Sequence, residues 1–370
     1  MTWFRPRSAL WWTYCLICLA GSVALVLQLL PAALLTWSAI LVGLPFMVVT
    51  LLVVAAFLFW LDLYRDHVRI RVVLAMGFVW GAAAGPGIAI FGNDNLIHAI
   101  GNLAGDAFAV DWQAPISASI IEEGIKGAGV LAVAWMFRPQ LSRPMHGLLL
   151  GGFTGLGFQI SEDATYQANA VLQSAQGDIG TAVLVGILRL LTAVTSHWML
   201  TGIAGIGIVV AVGASSWSRT RRAAALVAFY LLGAAMHFGW DAPMSGTTGF
   251  GSVVRRTVVH VVVFIVVYLW VARLETRWYR SVVDWAVDRR LAPPDELNSL
   301  ISRRTRRRAR RALRVPHRIA VLRRRELLDW VQAVDARIPG TDGAILGGPA
   351  GSATEHGTGR GRAHHPTTDL

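Results

Sequence analysis

Apolar residues run in blocks of about 20, the length that spans a bilayer as an α-helix. Such windows give about eight candidate spans, near residues 10–30, 39–60, 71–91, 115–137, 146–169, 189–212, 223–241 and 254–272. The expected fold class is therefore all-α, a polytopic membrane helix bundle. Starting the sixth span at Thr181 would make it too long, so Arg189 is taken as its outer boundary, with its side chain reaching for the interface. Pro86 and neighbouring glycines interrupt the third span. The glycines of "HGLLLGGFTGLGF" suggest close helix packing, because no strand precedes them as a phosphate loop would need.

Composition agrees with this pattern: 54% of residues are hydrophobic and only 15% charged. The net charge of +12 could suggest nucleic acid, but the arginines gather after residue 273 and in alternate loops, and no regular aromatic interleaving favours RNA or DNA. Arg5 and Arg7 precede the first span. Arg65, Arg69 and Arg71 follow the second, Arg138 and Arg143 the fourth, and Arg219, Arg221 and Arg222 the sixth. The other loops, 31–38, 92–114, 170–188 and 242–253, hold no Lys or Arg. Both termini are thus expected in the cytoplasm, with Arg255 and Arg256 fitting least well. The first apolar run exceeds a signal-peptide core and is expected to be retained. Cys15 and Cys18 lack the further ligands of a zinc site.

The expected organisation is N-terminal spans over 1–70, a membrane core over 71–272, an arginine-rich cytosolic helical segment over 273–338 broken at Pro316, and a disordered end over 339–370. A basic flank of this kind commonly contacts anionic lipid.

Charge at membrane depth is costly, so each instance marks a candidate site. The fourth span carries Glu122, Glu123 and Lys126, the last being the only lysine of the chain. The fifth carries Phe158 and Glu162, the sixth His197 and Thr201, the seventh His237 and Asp241. Each pair is spaced i, i+4, on one helix face. At 1.5 Å per residue, Glu122 and Glu162 lie about 10 Å, His197 about 12 Å and His237 about 6 Å below the outer ends of their spans. All fall in the outer half, although successive spans run in opposite directions. Asp163 points about 100° away from Glu162 and is expected either to line the outer cavity or simply to reach the interface, and His98, His146 and His260 read as structural.

The set Glu122-Glu123-Gly124-Ile125-Lys126, Phe158-Gln159-Ile160-Ser161-Glu162, His197 and His237-Phe238-Gly239-Trp240-Asp241 resembles, in order and spacing, the motifs of the PrsW-type intramembrane proteases, a group related to CAAX-prenyl and bacteriocin-processing proteases. The resemblance covers about residues 70–272. Ile121 stands where some members carry a third Glu. What the resemblance implies is a bacterial plasma-membrane hydrolase that cuts a membrane-anchored protein, similar to a single-span anti-sigma factor, from the extracytoplasmic side. Partners would be that substrate and the lipid bilayer.

Peptide hydrolysis needs an activated water, an oxyanion donor and an acid for the leaving amine. Glu122 or Glu123 is the expected base, with Lys126 as counter-charge to Glu122. His197 and His237 are expected to bind water, donate to the oxyanion or protonate the amine, with Asp241 orienting His237 and Glu162 completing the cage. Glu162, His197 and His237 could instead supply ligands to a divalent metal such as zinc, which the family's metalloprotease label implies, and both mechanisms stay open. The same cluster would also suit a proton-coupled transporter or a sensor, and an inactive protease-like scaffold is a further alternative.

Overall fold

The computed structural model describes residues 4–174, 179–213, 217–244, 249–291, 294–312 and 317–335. The described residues are all-helical, without strands. Helices α1 (Ala9–Leu35) and α2 (Trp37–Leu61) are separated at Thr36, whose hydroxyl donates to the Ala32 carbonyl at 2.7 Å. α3 (Asp66–Val79) passes through a wide π-turn at Trp80–Ala84 into α4 (Gly85–Ala104). Pro86 follows this π-turn within the continuous helix and has no N–H to offer the Ala82 carbonyl one turn back. The Ser161 hydroxyl donates to the Ala82 carbonyl inside the wide turn at 2.8 Å, and the Trp80 indole donates to the Ile125 carbonyl at 3.0 Å.

α5 (Asp106–Met136) follows α4 after the single residue Gly105, whose φ of 82° suits glycine. The stretch 92–114, expected as an outer loop, is therefore a helical hairpin. Its polar residues lower the hydropathy without breaking the helix, and Asn93 turns inward to the site described below. α6 (Pro144–Gln173) also outruns its predicted span, and α7 (Ile179–Thr192) begins ten residues before Arg189. A short 3-10 turn at Ala193–Thr195 separates α7 from α8 (His197–Val212). α9 (Arg219–Asp241) follows, capped by the Ser218 hydroxyl on the Arg221 amide.

Among the described residues, six stretches are long and apolar enough to cross a membrane: Ala9–Leu35, Trp37–Leu61, Asp66–Ala104, Ile179–Val212, Arg219–Asp241 and Phe250–Asp288. α5 and α6, 31 and 30 residues long, fall outside that set because they carry the carboxylates, lysine and glycines of the interior. α6 and α8 lie at the centre, with Leu148, Leu149, Leu150, Ile203 and Ile206 fully buried. α1 and α2 instead expose Leu16, Leu19, Leu27, Leu41 and Leu52, an apolar exterior suited to lipid. Glycine sets the central contact. A side chain at Gly151 would collide with the Thr201 carbonyl, and one at Gly155 with the His197 carbonyl. The two backbones can touch only where Cβ is absent.

α10 (Phe250–Asp288) runs unbroken for 39 residues, so the expected boundary between membrane core and cytosolic segment falls inside one helix. Its last turns bury Trp278, Tyr279, Val282 and Val283 against Leu297 of α11 (Pro294–Asn298), Leu300, and Leu328 and Val331 of α13 (His317–Asp335). The arginine-rich α12 (Arg303–Ala312) precedes α13. Pro316 and the stretch 339–370 lie outside the described residues.

Arg143, read from the sequence as a loop charge, is buried and joins four helices. It donates to Glu275 of α10 at 2.9 Å, to Asp66 of α3, and to the Gln332 side chain of α13 at 3.3 Å, and lies 3.3 Å from the Trp278 ring centre. The loop after α2, the start of α6 and the tail are thereby gathered at one end of the bundle.

Candidate active site

Lys126 is fully buried in the middle of α5 and touches three elements. Its ammonium lies 2.7 Å from Glu123 Oε1, 3.7 Å from Glu122 Oε2 and 2.9 Å from His197 Nδ1. It also sits 4.4 Å from the ring centre of Phe158. Its closest carboxylate is thus Glu123, not the Glu122 expected from helical spacing, because i, i+3 neighbours also share a face.

An ammonium only donates, so His197 Nδ1 must accept. The other ring nitrogen, Nε2, then carries the proton and donates to Glu162 Oε2 at 3.0 Å. His237 is oriented the opposite way. Its Nδ1 donates to Glu123 Oε1 at 2.9 Å, which leaves Nε2 facing Glu122 Oε2 and Asp241 Oδ2, each 3.7 Å away. The two imidazoles lie edge to face, with centres 5.3 Å apart. Thr201 donates to Glu123 Oε2 at 3.4 Å.

The two adjacent glutamates therefore differ in kind. Glu123 is saturated by Lys126, His237 and Thr201. Glu122 has one oxygen held by Asn93 Nδ2 at 3.1 Å, while Oε2 is buried without a hydrogen-bond partner. A buried acceptor left unpaired is expensive, and its persistence marks a place where a ligand, water or ion is expected. Glu122, Glu162, His197, His237 and Asp241 all line one cavity of about 250 Å³.

Every residue expected from the sequence joins this cluster, Asp241 most loosely, with its side chain 31% exposed. Two participants, Arg189 and Asn93, were not expected. Arg189, taken as a helix boundary, instead projects into the site: it bonds Glu162 Oε2 at 2.5 Å, pairs with Asp163, and lies 4.4 Å from the Tyr166 ring centre. Asp163 is accordingly a buried ion-pair partner. Asn93 was hidden in an apparent loop. Arg189 carried a usable signal, since it is a charge inside an apolar run, the criterion that singled out the others. Ile121 packs against Gly92 of α4, away from the histidines.

Ligand atoms of Glu122, His197 and His237 lie within 4.8 Å of one another, two nitrogens and one carboxylate oxygen of the kind that hold a catalytic zinc, and His197 would have to release either Lys126 or Glu162 to offer a lone pair. The carboxylate of this group is Glu122, where the sequence pointed to Glu162. Arg189 explains the difference by engaging Glu162. The Glu123 contact to His237 Nδ1 is the outer carboxylate that commonly orients a ligating histidine.

An apolar-skinned helical bundle with an ionic site sealed in its interior is an integral membrane protein built for chemistry at membrane depth. Over residues 70–271 the chain matches the model of the PrsW family intramembrane metalloprotease, and it belongs to that family, as an intramembrane protease. No curated protein and no solved structure matches it.

Proposed function

We propose that the chain is an endopeptidase that hydrolyses a peptide bond of a membrane-anchored, single-span protein near the extracytoplasmic face of a bacterial plasma membrane, with Glu122 as the general base. The observation that carries this reading is Glu122 Oε2, buried at a cavity wall without a hydrogen-bond partner and 3.7 Å from His237 Nε2. A water between these atoms would hydrogen-bond both. Glu122 takes its proton as the oxygen attacks the scissile carbonyl carbon, and the same proton is then delivered to the departing amide nitrogen as the C–N bond breaks. Arg189, clamped by Glu162 and Asp163 on the cavity wall, is placed to stabilise the oxyanion. Lys126 and Glu123 position the two histidines.

The donor set also favours a metal-assisted form of the reaction. Glu122, His197 and His237 would hold the ion, Glu122 then serving as a ligand in place of the base, and the ion would supply Lewis-acid polarisation and a more acidic water.

Attack from the extracytoplasmic side is supported by distance along the helices. Counted from the ends near Met136, Pro144, Val212 and Arg219, Glu122, Glu162, His197 and His237 lie about 21–27 Å along their helix axes. That is beyond the midpoint of a hydrocarbon layer about 30 Å thick. These are the ends that adjoin the arginine-bearing loops, and the positive-inside pattern supports a reading with both termini in the cytoplasm. An anti-sigma-factor-like substrate accords with this side of cutting.

The test is quantitative membrane proteomics of cells carrying wild type or Glu122→Gln. Accumulation of one intact single-span protein in the variant is expected, and identical membrane proteomes would overturn the assignment. Metal content of the purified wild type and of His237→Ala separates the two forms of the reaction.

A further inference from the structure

At the arginine-rich end of the bundle, α12 and α13 fold back over the end of α2 and enclose a second cavity, of about 460 Å³. Arg303, Arg306, Arg307, Arg324 and Arg325 line it, with Arg65 at its edge. Its acidic members are few. Asp62 turns one carboxylate oxygen to His67 at 2.6 Å, and Arg65 is paired with Asp329 at 2.8 Å. Arg306 is fixed by bonds to the Leu300 and Leu63 carbonyls at 2.7 and 2.8 Å, and its Nη2 is buried without a hydrogen-bond partner. Burial holds this guanidinium below its ordinary range, a cost that an anion beside it would relieve. The pocket thus sets the guanidinium groups of Arg303, Arg307, Arg324 and Arg325 about the held, unsatisfied donor of Arg306.

Trp60, at the end of α2, is shared by two cavities. Arg303 lies 3.8 Å from its ring centre on the basic side. On the other side Trp60 lines an apolar groove of about 450 Å³ between α2, α7 and α10, which extends up α2 to Thr50. That distance is about 15 Å along the helix, half the thickness of a hydrocarbon layer. Phe57, Trp198 and Phe264 form its floor. A basic pocket at the membrane boundary, continuous at one tryptophan with an apolar groove one leaflet deep, has the polarity profile of a single phospholipid.

We propose that this pair of cavities is a binding site for an anionic phospholipid, its phosphate among the α12 and α13 arginines and an acyl chain along the α2 groove. The proposal is independent of the proteolytic reading. It gives the tail a reason for its arginines: the lipid bridges α2 of the membrane bundle to the two helices docked beneath it.

The test is native mass spectrometry of the full-length protein with phosphatidylglycerol, phosphatidylcholine and inorganic phosphate added separately. Phosphatidylglycerol should be retained in preference to phosphatidylcholine, and inorganic phosphate should not displace it. Arg307→Gln with Arg325→Gln, both exposed and outside the buried core, should weaken phosphatidylglycerol binding about twenty-fold. Arg304→Gln with Arg308→Gln removes the same charge from α12 outside the pocket and should change binding less than about two-fold. Equal losses in the two double variants would reduce the effect to diffuse charge. Equal retention of phosphatidylcholine, or displacement by inorganic phosphate, would overturn the lipid site.

Discussion

The division of labour between Glu122 and Glu123 rests on which oxygen atoms are already bonded. Glu122→Gln keeps the volume and the Asn93 contact but removes the base, so cleavage should fall by at least about 100-fold with thermal stability nearly unchanged. Both are read from a substrate-cleavage assay and an unfolding curve on the same preparation. Lys126→Met should behave differently. It strands the Glu123 carboxylate in the interior and should cost about 3–5 kcal/mol, seen as a large drop in unfolding temperature in detergent. Arg189→Gln leaves Glu162 and Asp163 side by side without their counter-charge, and should lower cleavage and stability together. Most of the site was legible because a carboxylate, an ammonium or an imidazole in an apolar run is conspicuous. Asn93 was not, since a neutral amide in a polar stretch carries no such penalty. Nor could spacing alone reveal that Lys126 favours Glu123, because i, i+3 and i, i+4 partners are equally near on a helix.

Among the elements, the contact of α6 with α8 decides whether the site exists at all. Gly151→Leu should force the two backbones apart by the width of a side chain, at a cost of about 1–3 kcal/mol, and abolish cleavage while circular dichroism still reports the same helix content. Unchanged activity would mean that the helices can separate without moving Glu162 from His197. The helices themselves were readable from apolar block length. Their ends were not: the α4–α5 hairpin and the early start of α7 lie in stretches whose polar or glycine-rich residues depress hydropathy although the backbone stays helical. The turn at Ala193–Thr195, which starts a fresh helix at His197, left no mark in the hydrophobic pattern.

For the molecule as a whole, arginine content in the last third obscured a second apolar core. The buried positions Leu297, Leu300, Leu328 and Val331 are spread thinly among charges, and only their meeting with Trp278 and Tyr279 reveals a packed unit. Arg143→Ala should loosen this unit by removing the bonds to Glu275, Asp66 and Gln332 at once. Limited proteolysis should then cut within α12 several-fold faster than in wild type, and equal cutting rates would show that apolar packing alone holds the tail. At 39 residues, α10 is about 58 Å long, nearly twice the depth of the hydrocarbon layer, and has no joint along its length. Any displacement of the helices packed on its last turns therefore reaches the rest of the bundle as a tilt of one stiff lever. Its far end begins nine residues after Asp241, which lines the catalytic cavity.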